Sequence, residues 1–319
     1  MPDRAARDAA EEASALSHPS VAPDSTASYG EHPDQVVDFY APRDRDDRVP
    51  LVVVLHGGAW RARYDRAHVS PFAGFLARHG FAVASVEYRR GPSDIAGASA
   101  ASSASGASGA SGGGAAGAGA GAGASGTQGA DPVAGRWPET FDDVAAALDA
   151  LPVLAAAHLP QADPRRTVVT GHSAGGHLAL WAAARHVLPA GSPWRRAEPP
   201  ELRGVVALAP IAHFASAVEL DVCGGAVTQL LGGETPAKER AASADPALLL
   251  PTGIATTVVQ GRADTVVPAA VAEAYVEAAA RAGEMVGLTV LDDVGHFPLI
   301  DPAADACAVV AEEIAQLAW

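Results

Sequence analysis

The chain has 319 residues, of which 49% are hydrophobic and 18% charged, a composition that fits a globular α/β domain rather than a fibrous or disordered polymer. A formal net charge of -15 and a pI near 5.0 argue against nucleic acid or an anionic membrane surface as partner, since both need clustered Lys or Arg to displace counterions. Two cysteines, Cys223 and Cys307, lie far apart without C-x-x-C spacing, which argues against a disulfide framework and against a thiolate metal site.

Residues 1–33 are rich in Ala, Ser, Pro and charge, so the pattern predicts a disordered tail in which Ala6 to Leu16 forms at most a frayed helix. With no apolar run near the start and none of transmembrane length anywhere, the expected location is cytoplasmic. The globular domain is expected to span residues 34–319. Its first strand candidate is Gln35 to Tyr40, followed by Leu51 to Leu55, a continuous apolar run of the kind buried on both faces of a parallel sheet. A helix is expected from Pro71 to His79 and a strand from Phe81 to Tyr88. Residues 97–130 then hold only Gly, Ala and Ser apart from Thr127 and Gln128, too small a set of side chains to build a core, and read as a disordered insertion. Stretching a connection from roughly 8 to 34 residues adds only about 1.3 kcal/mol of closure entropy, so the domain tolerates it.

Beyond the insertion, helix candidates at Phe141 to Ala157, Gly176 to His186, Ala269 to Ala282 and Ala303 to Leu317 alternate with strand candidates. The strands are Thr167 to Thr170, Gly204 to Ala209, Thr256 to Gln260 and Val286 to Leu291. This alternation predicts an α/β class, a mostly parallel doubly wound sheet with helices on both faces. One long connection, residues 211–253, reads as a small helical cap.

Gly171-His172-Ser173-Ala174-Gly175 falls between a strand and a helix, where a sharp turn lifts a Ser hydroxyl clear of both elements. Gly109-Ala110-Ser111-Gly112-Gly113 matches the same pattern but has neither strand nor helix beside it, so Ser111 is a chance match. A Ser hydroxyl needs a base and an orienting acid. Of 11 histidines, His296 follows the last strand candidate on the loop Asp293 to Phe297, where it can cross the top of the sheet. His172 points away from its neighbour Ser173 on a tight turn, while His56, His79, His177 and His186 read as structural. Asp264, just past the strand Thr256 to Gln260, is the favoured acid over Asp292 and Asp293, and it completes the order Ser, acid, His along the chain. His56-Gly57-Gly58-Ala59-Trp60 follows a strand and offers backbone donors for a developing oxyanion, with the N–H groups of Gly58, Ala59 and Ala174 as candidates. Neither a P-loop nor a dinucleotide fingerprint is present. Trp60, Tyr64, His213 and Phe214 are candidate pocket walls.

These motifs together make the chain from about Gln35 to Trp319 resemble the α/β-hydrolase superfamily. Within it, the H-G-G-x-W run and Gly171-His172-Ser173-Ala174-Gly175-Gly176-His177-Leu178 are similar to the kynurenine formamidase and feruloyl or acetylxylan esterase-like (BD-FAE) branch. The resemblance implies Ser173, Asp264 and His296 as a triad, Gly58, Ala59 and Ala174 as oxyanion donors, and a serine hydrolase of small carboxylic esters. An aryl formamidase and a catalytically silent hydrolase-fold binding protein are the alternatives. No cofactor or metal is expected, and the partner is a small-molecule ester or formamide. Composition leaves the oligomeric state open between monomer and homodimer.

Overall fold

The computed structural model describes residues 4–43, 47–91 and 134–319. The predicted insertion at 97–130, with Ser111, lies outside the described residues. In chain order the elements are α1 (Arg4–Ser17), β1 (Ser25–Ser28), β2 (Val36–Tyr40), β3 (Val49–Leu55), α2 (Ser70–Arg78), β4 (Ala82–Val86), α3 (Glu139–His158), β5 (Ala162–His172) and α4 (Ala174–Ala183). They continue with β6 (Gly204–Leu208), α5 (Phe214–Glu219), α6 (Ala226–Leu230), α7 (Glu234–Arg240), β7 (Thr256–Gly261), α8 (Ala269–Arg281), β8 (Gly287–Leu291) and α9 (Asp305–Ala318).

All eight strands join one sheet in the order β1-β2-β4-β3-β5-β6-β7-β8. The pairs β1/β2 and β2/β4 are antiparallel and every other pair is parallel. The continuous apolar run of β3 explains its central place, because each of its seven residues is buried. Alternate side chains serve opposite layers, as a period of two requires. Leu51, Val53 and Leu55 join a cluster with Phe141 of α3, Trp181 of α4 and Tyr275 of α8. Val52 and Val54 meet Phe72 and Phe75 of α2 together with Val310 and Ile314 of α9. Helices therefore cover both faces, and the parallel strands deliver their C-terminal ends to one edge, where sheets of this kind place their sites.

One difference from the sequence expectation concerns the N-terminal end of this frame. Residues 4–33 are not a tail: α1 docks on the domain and β1 extends the sheet, with the Asp24 N–H donating to the Phe39 carbonyl at 2.8 Å. They carry few large apolar side chains, and what orders them is pairing with partners far along the chain, which local periodicity does not carry. The connection from residue 211 to 253 holds α5, α6 and α7. Among the described residues no helix is long and apolar enough to cross a membrane.

Candidate active site

Ser173 stands between β5 and α4 at φ 57° and ψ -117°, a left-handed conformation rare for a residue with a Cβ. The turn is held by the Ser173 N–H donating to the Leu208 carbonyl at 2.8 Å and by the His177 N–H donating to the Ser173 carbonyl at 3.1 Å. Gly175 explains why the second glycine of the pattern is needed, since a Cβ there would stand 2.0 Å from the Leu55 carbonyl oxygen. α4 crosses β3 so closely that no side chain fits between them. Ser173 is 3% exposed and opens onto a cavity of about 310 Å3 that is also lined by Gly58, Ala59, Tyr64, His172 and His296.

His296 reaches this cavity from the loop after β8, and Asp264 stands behind it past the end of the adjacent strand β7. His296 Nδ1 lies 2.7 Å from Asp264 Oδ2. The same carboxylate accepts from the backbone N–H groups of Val266 and Val267, each at 2.8 Å, and from Gln260 Nε2 at 3.2 Å. Four donors converge on one buried carboxylate, which fixes the imidazole with Nδ1 as its donor and leaves Nε2 with no partner among the described residues. Gln260 was not a sequence candidate, and only its neighbourhood in β7 marks it as the residue that helps aim Asp264. The rival acids lie outside this arrangement: Asp292 forms an exposed pair with Arg262 at 2.5 Å, and Asp293 occupies a left-handed turn position.

His172 also lines the cavity, and its Nε2 donates to the His296 backbone carbonyl at 3.0 Å. Burial first, and the adjacent His296 ring second, hold the His172 imidazole well below its ordinary range, so it braces the loop of His296 in neutral form. Burial, reinforced by His56, likewise pushes His68 on the cavity wall down to about 4.

The loop after β3 takes an unusual path. Gly58, Ala59 and Trp60 have φ values of 103°, 51° and 54° in succession, so consecutive backbone amides curl toward one side. At Gly58 a Cβ would meet Tyr64 Cβ at 2.6 Å, and the positive φ excludes most residues in any case. Among the described residues the N–H groups of Gly58, Ala59 and Ala174 donate to no acceptor, and Gly58 and Ala59 line the cavity beside Ser173. A buried network holds this loop: His56 Nε2 lies 2.9 Å from Glu87 Oε1, Arg90 Nη1 donates to the same oxygen at 2.7 Å, and the Arg66 N–H donates to Oε2 at 2.9 Å. Burial alone would raise the Glu87 carboxyl, yet His56, Arg90 and the Arg66 amide outweigh it and hold the group down at about 2.

Of the expected pocket walls, Tyr64 lines the cavity and the other three do not. Trp60 is fully buried, because its left-handed backbone turns the indole into the core, edge-on to His177 at 5.1 Å. Phe214 packs on the other side of His177 at 5.0 Å and is 4% exposed. His213 caps α5, accepting from the Ser216 N–H at 3.1 Å, and burial first, then the charge of Arg281 on α8, hold its imidazole below the ordinary value. His79, His177 and His186 each spend a ring nitrogen on a backbone carbonyl, of Phe75, Ala244 and Thr252 respectively. Among the described residues no group of three or more His, Cys, Asp or Glu converges as metal ligands would.

A strained serine turn between strand and helix at the C-terminal edge of a mostly parallel, helix-covered sheet defines an α/β-hydrolase fold. Solved structures agree in fold. A truncated carbohydrate esterase from gut microbiota superposes with a TM-score of 0.66 at 17% identity, over 93% of this chain and 97% of that one. Esterase B from Lactobacillus rhamnosis gives 0.67 at 18% identity over 98% and 90%, and an esterase from the Planctomycetes species Thermogutta terrifontis, with propionate bound, gives 0.60 at 19% over 92% of each. No curated protein matches the sequence. The BD-FAE family model matches residues 37–101 and 133–278, well over half of the chain, and the protein belongs to the BD-FAE family.

Proposed function

We propose that the protein is a serine hydrolase that cleaves small carboxylic esters through an acyl-enzyme on Ser173. The observation that carries this reading is the hydrogen bond of 2.7 Å between Asp264 and His296 beside a strained Ser173, with Gly58 and Ala59 on the wall of the same cavity and their N–H groups without an acceptor among the described residues. In the first half-reaction His296 Nε2 takes the Ser173 hydroxyl proton as Oγ bonds to the ester carbonyl carbon. The carbonyl electron pair moves onto oxygen, where N–H groups of Gly58, Ala59 and Ala174 stabilise it. As the tetrahedral species collapses, the alcohol leaves with the proton from His296. Water then repeats the sequence on the acyl-enzyme and releases the carboxylic acid. Asp264 stays ionised throughout, keeping the imidazole oriented and stabilising its cation.

Names of the fold neighbours are consistent with this chemistry, since each is called an esterase and one holds propionate. The H-G-G-x-W form motivates the formamidase alternative, but Trp60 lies in the core and lends that alternative no substrate contact. The deciding experiment measures hydrolysis of p-nitrophenyl acetate and butyrate alongside N-formylkynurenine, together with fluorophosphonate labelling. Ester turnover and labelling that both vanish in Ser173→Ala are expected. Preference for N-formylkynurenine would replace the esterase reading with the formamidase one. Absence of both turnover and labelling would leave a binding protein of hydrolase fold.

A further inference from the structure

The N-terminal helix α1 lies across the two loops that carry Asp264 and His296. Arg7 Nη2 donates to the Ala263 carbonyl at 2.8 Å, one residue before Asp264. Glu11 Oε1 accepts from the Gly295 N–H at 3.3 Å, one residue before His296. Thr265 donates to Asp8, and Ser14 donates to Asp301 at 2.6 Å. Apolar burial contributes little here, since Ala15 is the one buried residue of α1 among those described from residue 6 onward. Polar contacts therefore set where the helix sits, and they bring Glu12 to the wall of the cavity that contains Ser173. The Tyr64 hydroxyl donates to Glu12 Oε1 at 3.0 Å and holds the carboxylate in place. Two cations face the same space. Arg61 is engaged with the Cys223 carbonyl at 2.6 Å, and Arg63 stands over the Tyr64 ring at 5.1 Å; neither forms an ion pair among the described residues.

We propose that Glu12 is a specificity-determining residue of this site, one that disfavours esters bearing a negative charge near the scissile bond, against an opposing pull from Arg63. The inference rests on the serine hydrolase reading of the cavity. Its basis is that a carboxylate held inside a small, partly enclosed space repels a substrate anion through a dielectric well below that of water. The same geometry makes α1 part of the site rather than an appendage.

The test compares p-nitrophenyl butyrate with mono-p-nitrophenyl succinate, two esters of the same chain length that differ by a carboxylate, at pH 7.5 and low salt. Glu12→Gln keeps an oxygen to accept from Tyr64 and removes only the charge, so the succinate-to-butyrate ratio of kcat/KM should rise about tenfold, with the gain shrinking as salt is added. Glu12→Ala should move the ratio the same way and Arg63→Gln the opposite way. A merely structural role of α1 would change both esters together. An unchanged ratio in Glu12→Gln, with butyrate still hydrolysed, would overturn this inference alone. Failure of the parent protein to hydrolyse either ester, with no fluorophosphonate labelling, would overturn the hydrolase reading and this inference with it.

Discussion

Two carboxylate–imidazole pairs stand at the same edge of the sheet, each bridging neighbouring strands. Asp264 and His296 follow β7 and β8, with 2.7 Å between Oδ2 and Nδ1. Glu87 and His56 follow β4 and β3, with 2.9 Å between Oε1 and Nε2. The pairs differ at the second ring nitrogen. His56 Nδ1 lies 2.9 Å from the Gly57 carbonyl, so both of its nitrogens are occupied and the ring is a brace under the Gly-Gly loop. His296 Nε2 has no partner among the described residues, and the ring opens onto the cavity beside Ser173. A buried carboxylate and a histidine do not by themselves make a base; a free nitrogen facing an accessible space does.

Breaking each pair should separate the two roles. Asp264→Asn removes the acceptor that fixes the His296 tautomer, so kcat should fall by about 10^3 to 10^4, far beyond what its loss of stability in urea unfolding accounts for. Glu87→Gln should do the reverse. Leaving His56, Arg90 and Arg66 around a neutral side chain should cost about 3 kcal/mol of stability by urea unfolding at pH 7, with the smaller loss of kcat expected from a loosened loop. Because the folded carboxyl of Glu87 titrates at about 2, below the ordinary value of 4.5, its contribution is present above the ordinary value and disappears as pH falls through about 2. Stability curves between pH 5 and 2 should therefore be flatter for Glu87→Gln than for the parent. A loss of kcat in Glu87→Gln as large as in Asp264→Asn would erase the distinction.

Asp245 supplies the smallest test and the opposite sign. Burial raises its carboxyl to about 6, and the N–H groups of Ala247 and Phe214 only partly offset that. A group raised in the folded state contributes fully below its ordinary value of 3.8 and loses that contribution as pH rises through about 6. Asp245→Asn cannot ionise, so the decline in stability between pH 4 and 8 should shrink by on the order of 2 kcal/mol, read by urea unfolding at several pH values. An identical decline in both proteins would assign it to other groups.

Sequence pattern reached much of this architecture because it records local facts. The run Leu51 to Leu55 has the period and apolarity of a central strand, and the small residues around Ser173 mark a close crossing of helix and strand. Asp264 and His296 could be named because strand ends are recognisable and a loop of a few residues has short reach. Trp60 and Phe214 were misplaced for a related reason: an aromatic beside a site motif looks the same in sequence whether it faces solvent or core, and here both enclose His177.

The amino-acid sequence by itself determined the strand and helix alternation, the turn of small residues around Ser173 and the places of Asp264 and His296 just past strand ends, since each depends on residues near one another in the chain. Tertiary structure decided which histidine keeps a free nitrogen, which side chains line the cavity, and that α1, held by the distant loops of Ala263 and Gly295, brings Glu12 to it. Those outcomes depend on contacts between distant segments, where a polar side chain takes whichever partner the fold sets within hydrogen-bond reach, and no local period encodes that partner.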